Sequence, residues 1–187
     1  IIGEPAGGVT PRVQAVADLL SAAGFGVTIT ERIQRDIWFK LWGNMTMNPV
    51  SAITGAPCDR ILDDDLVRGF CSAVMREAQA IGARIGISID QQPEDRHAVT
   101  RKLGAFKTSM LQDVEAGRAP EIDALVGSVV ELGRLTQTPT PHIDTVELHQ
   151  VSSEFFIAQA RMRQARDALS RARALVADGV GAAADLR

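Results

Sequence analysis

The sequence predicts a mainly α protein, an all-helical body preceded by a short α/β segment. Three observations carry this. The first thirty residues read strand, helix, strand, the layout of the last piece of a parallel α/β sheet. After Thr30 no segment alternates convincingly at period two. From there on, long stretches repeat at the helical period and are separated by Gly and Pro. The boundary falls near Glu31, which gives two parts, 1–30 and 31–187.

The elements follow in order. Ile1-Ile2-Gly3 reads as the end of a strand. Thr10 is a helix N-cap, and Pro11 suits the first helical position because its missing N–H is not needed there. Val13, Val16, Ala17, Leu19 and Leu20 give this helix an apolar face, and Gly24 stops it. The β-branched run from Gly26 to Thr30 then reads as a strand. Helical patterns cover about 36–48, 63–82, 94–117, 120–136 and 143–176. Asp63-Asp64-Asp65 suits a helix start, where carboxylates meet the positive end of the dipole. Residues 137–141, with two prolines, form a loop.

Composition excludes several function classes. Apolar residues make up 45% and charged residues 23% of the 187, as in an ordinary globular protein, and the net charge of -3 gives no general attraction to nucleic acid. Neither a run of 18 apolar residues nor a signal-peptide pattern is present, so no membrane role is expected. Two cysteines, Cys58 and Cys71, make no disulfide framework, and a reducing cytoplasm is the expected compartment. His97, His142 and His149 have no metal-ligand spacing, so no metal site is expected. The chain starts at Ile1 without an initiator methionine and reads as a piece of a longer protein.

The informative stretch is Asp36-Ile37-Trp38-Phe39-Lys40-Leu41-Trp42-Gly43-Asn44-Met45-Thr46-Met47-Asn48-Pro49. Its apolar residues point in nearly every direction, as in a buried helix. Yet Lys40, Asn44 and Asn48 recur every fourth residue. At about 100° per residue they drift only about 80° in total and share one face. Lys and Asn are costly to bury without partners. An isolated lysine would simply snorkel to the surface, but two further amides on the same face point to a cleft. Pro49 is expected to end or kink the helix just beyond this stripe.

Trp38-x-Lys40-Leu41-x-x-Asn44-x-x-x-Asn48 resembles the start of the C-terminal domain of the ketopantoate reductase (2-dehydropantoate 2-reductase) family. A second segment resembles it in the same order: Ser109-Met110-Leu111-Gln112-Asp113, then Arg118 and Glu121-Ile122-Asp123. The resemblance implies an all-helical domain of 6-phosphogluconate dehydrogenase-like type, with 1–30 as a remnant of a Rossmann-type NADP-binding domain. It implies that Lys40 is the catalytic general acid, and that Asn44, Asn48, Ser109 and Glu121 bind substrate. The implied reaction is NADPH-dependent reduction of ketopantoate or a related 2-oxoacid. Lys40 would supply a proton or a positive charge to the developing alkoxide in a dry cleft, and Glu121 would accept a hydrogen bond from a substrate hydroxyl. Read without the family, Glu121 is an acidic residue at the start of a helix opened by Pro120.

Two features depart from a complete enzyme. The glycine-rich strand-to-helix turn that holds a dinucleotide is absent. Gly24-Phe25-Gly26 follows a helix and precedes a strand, and Gly179-Val180-Gly181 has no strand before it. NADP(H) is therefore expected to be bound mainly outside this chain, and the chain alone is expected to be inactive. The tail also carries Arg161, Arg163, Arg166, Arg171 and Arg173 among alanines, which reads as a solvated face or a homodimer contact. The competing reading is a non-catalytic helical association module, which would have no use for the Lys40-Asn44-Asn48 stripe.

Overall fold

A computed structural model of the protein describes residues 1–148 and Ser170; the arginine-rich tail, His149 and the end of the 143–176 helix lie outside the described residues. Ile2 and Ile29 pair in parallel, with Ile2 N–H donating to Thr28 O and Thr30 N–H to Ile2 O, both at 2.9 Å. Two strands were expected here; among the described residues the pairing is this single bridge. A lone pair of short segments has no neighbour to extend the ladder and is marginal by itself.

Helix α1 spans Pro11–Ala22, with Thr10 Oγ1 accepting from Val13 N–H and Gly24 in the left-handed region at φ 87°. Its expected apolar face is only partly covered: Val13 and Ala17 are buried, whereas Val16 and Leu19 are exposed. Glu4 is buried, accepting from Thr10 Oγ1 and the Arg12 guanidinium, and that guanidinium holds its carboxyl below the usual range. Gly3 lets this segment cross the start of the next helix, because an added Cβ would stand 2.8 Å from Thr30 O and 2.9 Å from Ile33 Cβ.

Helix α2 runs Ile33–Thr54 and continues through Pro49. Pro49 was expected to end or kink the helix, and it does not end it. An interior proline costs about 3 kcal/mol through its lost N–H and ring clash. Every residue from Met45 to Ala52 is buried, and that packing outweighs it. Gly55, left-handed at φ 68°, closes the helix instead. Helices α3 (Cys58–Asp63) and α4 (Asp65–Arg84) are separated by extended Asp64, whose carboxylate caps α4 by accepting from Leu66 and Val67 N–H. The expected single helix over 94–117 is two: α5 (Pro93–Arg101) and α6 (Ser109–Glu115). Gly104 at φ 63° turns the chain between them, and Thr108 caps α6 through Leu111 N–H. A π-helical turn over Asp123–Gly127 leads into α7 (Ser128–Thr136), and α8 (Pro141–Leu148) follows.

Helices α2 and α4 form the centre. Helix α2 packs on α3, α4, α6 and the π-helical turn; α4 packs on α2, α3, α5, α7 and α8. Trp38, Trp42 and Met45 meet Val74, Met75 and Ile81 in the main core. Trp42 Nε1–H donates to Met75 O at 2.8 Å. At Gly82 the Trp38 indole comes so close that an added Cβ would stand 2.4 Å from its Nε1. A second cluster joins Met47 and Val50 to Cys58, Ile61, Leu62 and Cys71. Burial pushes the Cys71 thiol up to about 12 and raises Cys58 as well, so neither is a ready thiolate. Among the described residues no helix is long and apolar enough to cross a membrane.

Helix α8 depends on α4. The Glu77 carboxylate accepts from His142 and Ile143 N–H, at 3.0 and 2.9 Å, and faces His142 Nδ1 at 2.6 Å. These are orphan donors of the first turn of α8, met from a residue 65 positions away. Glu77→Ala is expected to lower stability by about 1–3 kcal/mol, read as a shift of the urea midpoint without a change of slope. A midpoint within error of the parent would show that water replaces the carboxylate at no cost.

Candidate substrate site

The Lys40-Asn44-Asn48 stripe descends into the protein. Lys40 is exposed, Asn44 half-buried and Asn48 only 8% exposed. The rise along the helix axis from the first to the last is about 12 Å. Asn44 and Asn48 line a cavity of about 90 Å³ between α2 and α5. Its other walls include Met47, Cys58, Met75 and Phe106, with Thr108 at the start of α6.

Lys40 itself does not line the cavity, and the dry cleft expected around it is not formed by the described residues, since its side chain is exposed. Among those residues no carboxylate lies within ion-pair distance of it. Ser109 and Glu121 also stand outside the cavity and are exposed. Each is nevertheless set near α2 by its element: α6, which begins at Ser109, and the π-helical turn just after Glu121 both pack on that helix. Glu121 precedes the helical turn as expected, its carbonyl accepting from Leu125 N–H at 3.2 Å.

None of the five side chains hydrogen-bonds another described protein group. For Lys40, Ser109 and Glu121 water accounts for this. Asn48 is nearly buried, and its amide is left to water or a ligand in the cavity. It lines the cavity together with Asn44.

The structure adds residues that sequence reasoning missed. Arg96, His97 and Thr100 of α5 line the same cavity. His97 is 5% exposed, and neither ring nitrogen has a partner. Burial lowers its pKa, reinforced by Arg68, Arg101 and Arg76 and opposed by Glu94. The only sequence signal was negative. The segment Pro93–Arg101 lacks an apolar face, so the buried side had to be built from Pro93 and the residue four positions on, His97. Among the described residues no group of three or more His, Cys, Asp or Glu could hold a metal.

Comparisons with known proteins bear on this geometry. Residues 32–148 match the family described as "Ketopantoate reductase PanE/ApbA C terminal". A 2-dehydropantoate 2-reductase of Mesorhizobium japonicum is 44% identical over 145 residues, which is 78% of this chain and 44% of that protein. A crystal structure from Ralstonia solanacearum MolK2, described as a candidate ketopantoate reductase, is 60% identical. It has a TM-score of 0.76 and covers 85% of this chain and 47% of its own. The 2-dehydropantoate 2-reductase of Methylococcus capsulatus is 33% identical, with a TM-score of 0.74 over 81% of this chain and 50% of its own. The chain spans about half the length of the relatives it matches. With residues 32–148 matched and the all-helical architecture shared, the chain belongs to the ketopantoate reductase PanE/ApbA C-terminal family.

Proposed function

We propose that this chain is the substrate-binding and proton-donating half of an NADPH-dependent reductase of ketopantoate or a related 2-oxoacid. The observation that carries the reading is Asn48: a nearly buried amide without a protein partner, opening into a cavity with Asn44, one and two turns below an unpaired lysine. Such polar groups, set in a mostly apolar wall, orient a small ligand.

The residues described here do not fit a dinucleotide. Residues 1–30 contain one parallel bridge, and the turn from it to α1, with Gly3, Gly7 and Gly8, lacks the GxGxxG spacing. We place cofactor binding in a preceding Rossmann-type domain, of which 1–30 is the closing piece. A bound reduced nicotinamide would supply hydride. The share of this chain is the proton and the pose. Lys40 Nζ–H donates to the substrate oxygen as charge develops on it. Asn44, Asn48 and Ser109 hold the carbonyl and its neighbouring groups, and Glu121 accepts from a substrate hydroxyl. Fixing the oxygen at a cation is worth most once the cofactor-binding domain covers Lys40 and excludes water.

The test joins this chain to the dinucleotide-binding domain of a 2-dehydropantoate 2-reductase and follows NADPH oxidation with ketopantoate. Saturable oxidation is expected. Turnover only on other 2-oxoacids would keep the mechanism and change the substrate. Silence across a 2-oxoacid panel, with NADPH binding demonstrated, would sink the reductase reading.

A further inference from the structure

The cavity shared by α2 and α5 contains more unmet donors than the two asparagines. Arg96 Nε is buried and has no partner, and the same holds for both ring nitrogens of His97. Among the described residues Arg96 makes no ion pair. Its guanidinium is nevertheless fixed in place: it lies 5.4 Å over the Phe39 ring, a cation–π distance. It also rests on Gly43, where an added Cβ would stand 2.8 Å from Nε and 3.2 Å from Nη2. Phe39 and Gly43 are the helical row beside Lys40 and Asn44. A rigid planar cation is thus held within a turn of the lysine and the first asparagine, with its fork unused.

The charges around His97 are mixed, with Glu94 the strongest single one and three arginines of opposite sign. Arg68, Arg76 and Arg101 all act on His97 as positive neighbours, and Glu94 alone acts against them. Of these, Arg76 pairs with Glu94 at 2.8 Å and Arg101 with Asp63 at 2.8 Å. Leaving a buried donor unmet costs about 1–3 kcal/mol, more for a charged one. An arrangement that leaves the Arg96 Nε–H and the single N–H of a neutral His97 ring unmet is stabilised when an anionic acceptor enters. A guanidinium fork matches a carboxylate in geometry as well as charge. The remaining walls, Met47, Cys58, Met75, Leu103 and Phe106, suit an aliphatic chain attached to that carboxylate.

We propose that Arg96 and His97 are the carboxylate-recognising pair of this site, so that the ligand is an acid with an aliphatic chain rather than its neutral derivative. The assignment rests on the reductase reading above and deepens it. A 2-oxoacid carries its carboxylate one bond from the reacting carbon. Arg96, packed from α5 onto the row beside Lys40, holds that carboxylate while Lys40 meets the adjacent carbonyl oxygen. His97 donates a second hydrogen bond from the inner wall.

The experiment uses the chain joined to its dinucleotide-binding domain and compares kcat/KM for ketopantoate with that for ketopantoate amide, the same skeleton without the charge. The expected result is a strong preference for the acid in the unsubstituted protein. In Arg96→Gln that preference falls about 10- to 100-fold, the range for losing one charge-assisted hydrogen bond, because the acid is lost selectively. Arg96→Lys recovers part of it, since charge returns without the fork. His97→Asn lowers it by a smaller factor. The ratio is read within each variant, so partial unfolding does not move it. Equal loss on acid and amide in Arg96→Gln, or an unchanged ratio, overturns the carboxylate role and leaves the reductase reading standing. Absence of turnover on either compound in the unsubstituted protein overturns both.

Discussion

Lys40→Ala, in the chain joined to a dinucleotide-binding domain, is expected to lower kcat for ketopantoate by about 10²–10⁴-fold, the span attributable to one general acid. The fold should not change. Lys40 is exposed and has no ion-pair partner among the described residues, and such surface substitutions alter stability by only about 0.5 kcal/mol. Turnover and thermal melting measured on the same preparation separate the two effects. Lys40→Arg sharpens the assignment. Arginine keeps the positive charge but does not give up its proton. If the role is proton donation, the arginine variant stays slow; if the role is charge alone, it recovers. Near-normal turnover in Lys40→Ala would remove the lysine from the mechanism.

The second large effect is expected at Glu121. Glu121→Ala should raise KM for a hydroxylated 2-oxoacid about 10- to 100-fold, as expected for a hydrogen bond to a charged acceptor. A non-hydroxylated analogue should be unaffected, because nothing on it meets the carboxylate. The side chain bonds no described protein group, and the backbone contact from Leu125 N–H to the Glu121 carbonyl is untouched by the substitution. Glu121 stands outside the cavity, so its role requires a ligand that reaches from the asparagines toward the π-helical turn. An equal loss on both substrates would show that Glu121 shapes the protein and does not read the hydroxyl.

Much of the local structure was legible. Thr10-Pro11 opens α1, Gly24 follows its end in the left-handed region, and Gly117 does the same beyond α6 at φ 69°. Each of these follows from a rule acting within four or five residues: a hydroxyl accepting a free N–H, a fixed φ, or a backbone without Cβ. Asp64 was legible too, as one of three aspartates at a helix start, although only the structure shows which of them caps. The stripe of Lys40, Asn44 and Asn48 was readable because helical period alone places every fourth residue on one face.

The sequence by itself therefore determined the helical class, the start of α1 and the polar stripe, all consequences of short-range geometry. Tertiary packing decided the rest. It carried α2 through Pro49, because burying the residues around the proline outweighs its lost hydrogen bond. It broke 94–117 into α5 and α6, because the chain had to turn at Gly104 for α6 to lie along α2. It turned Arg96 and His97 inward to face Asn44 and Asn48, a neighbourhood about fifty residues apart in the chain. No local rule can anticipate that, because an unmet donor becomes costly only when another element closes over it and takes away its water.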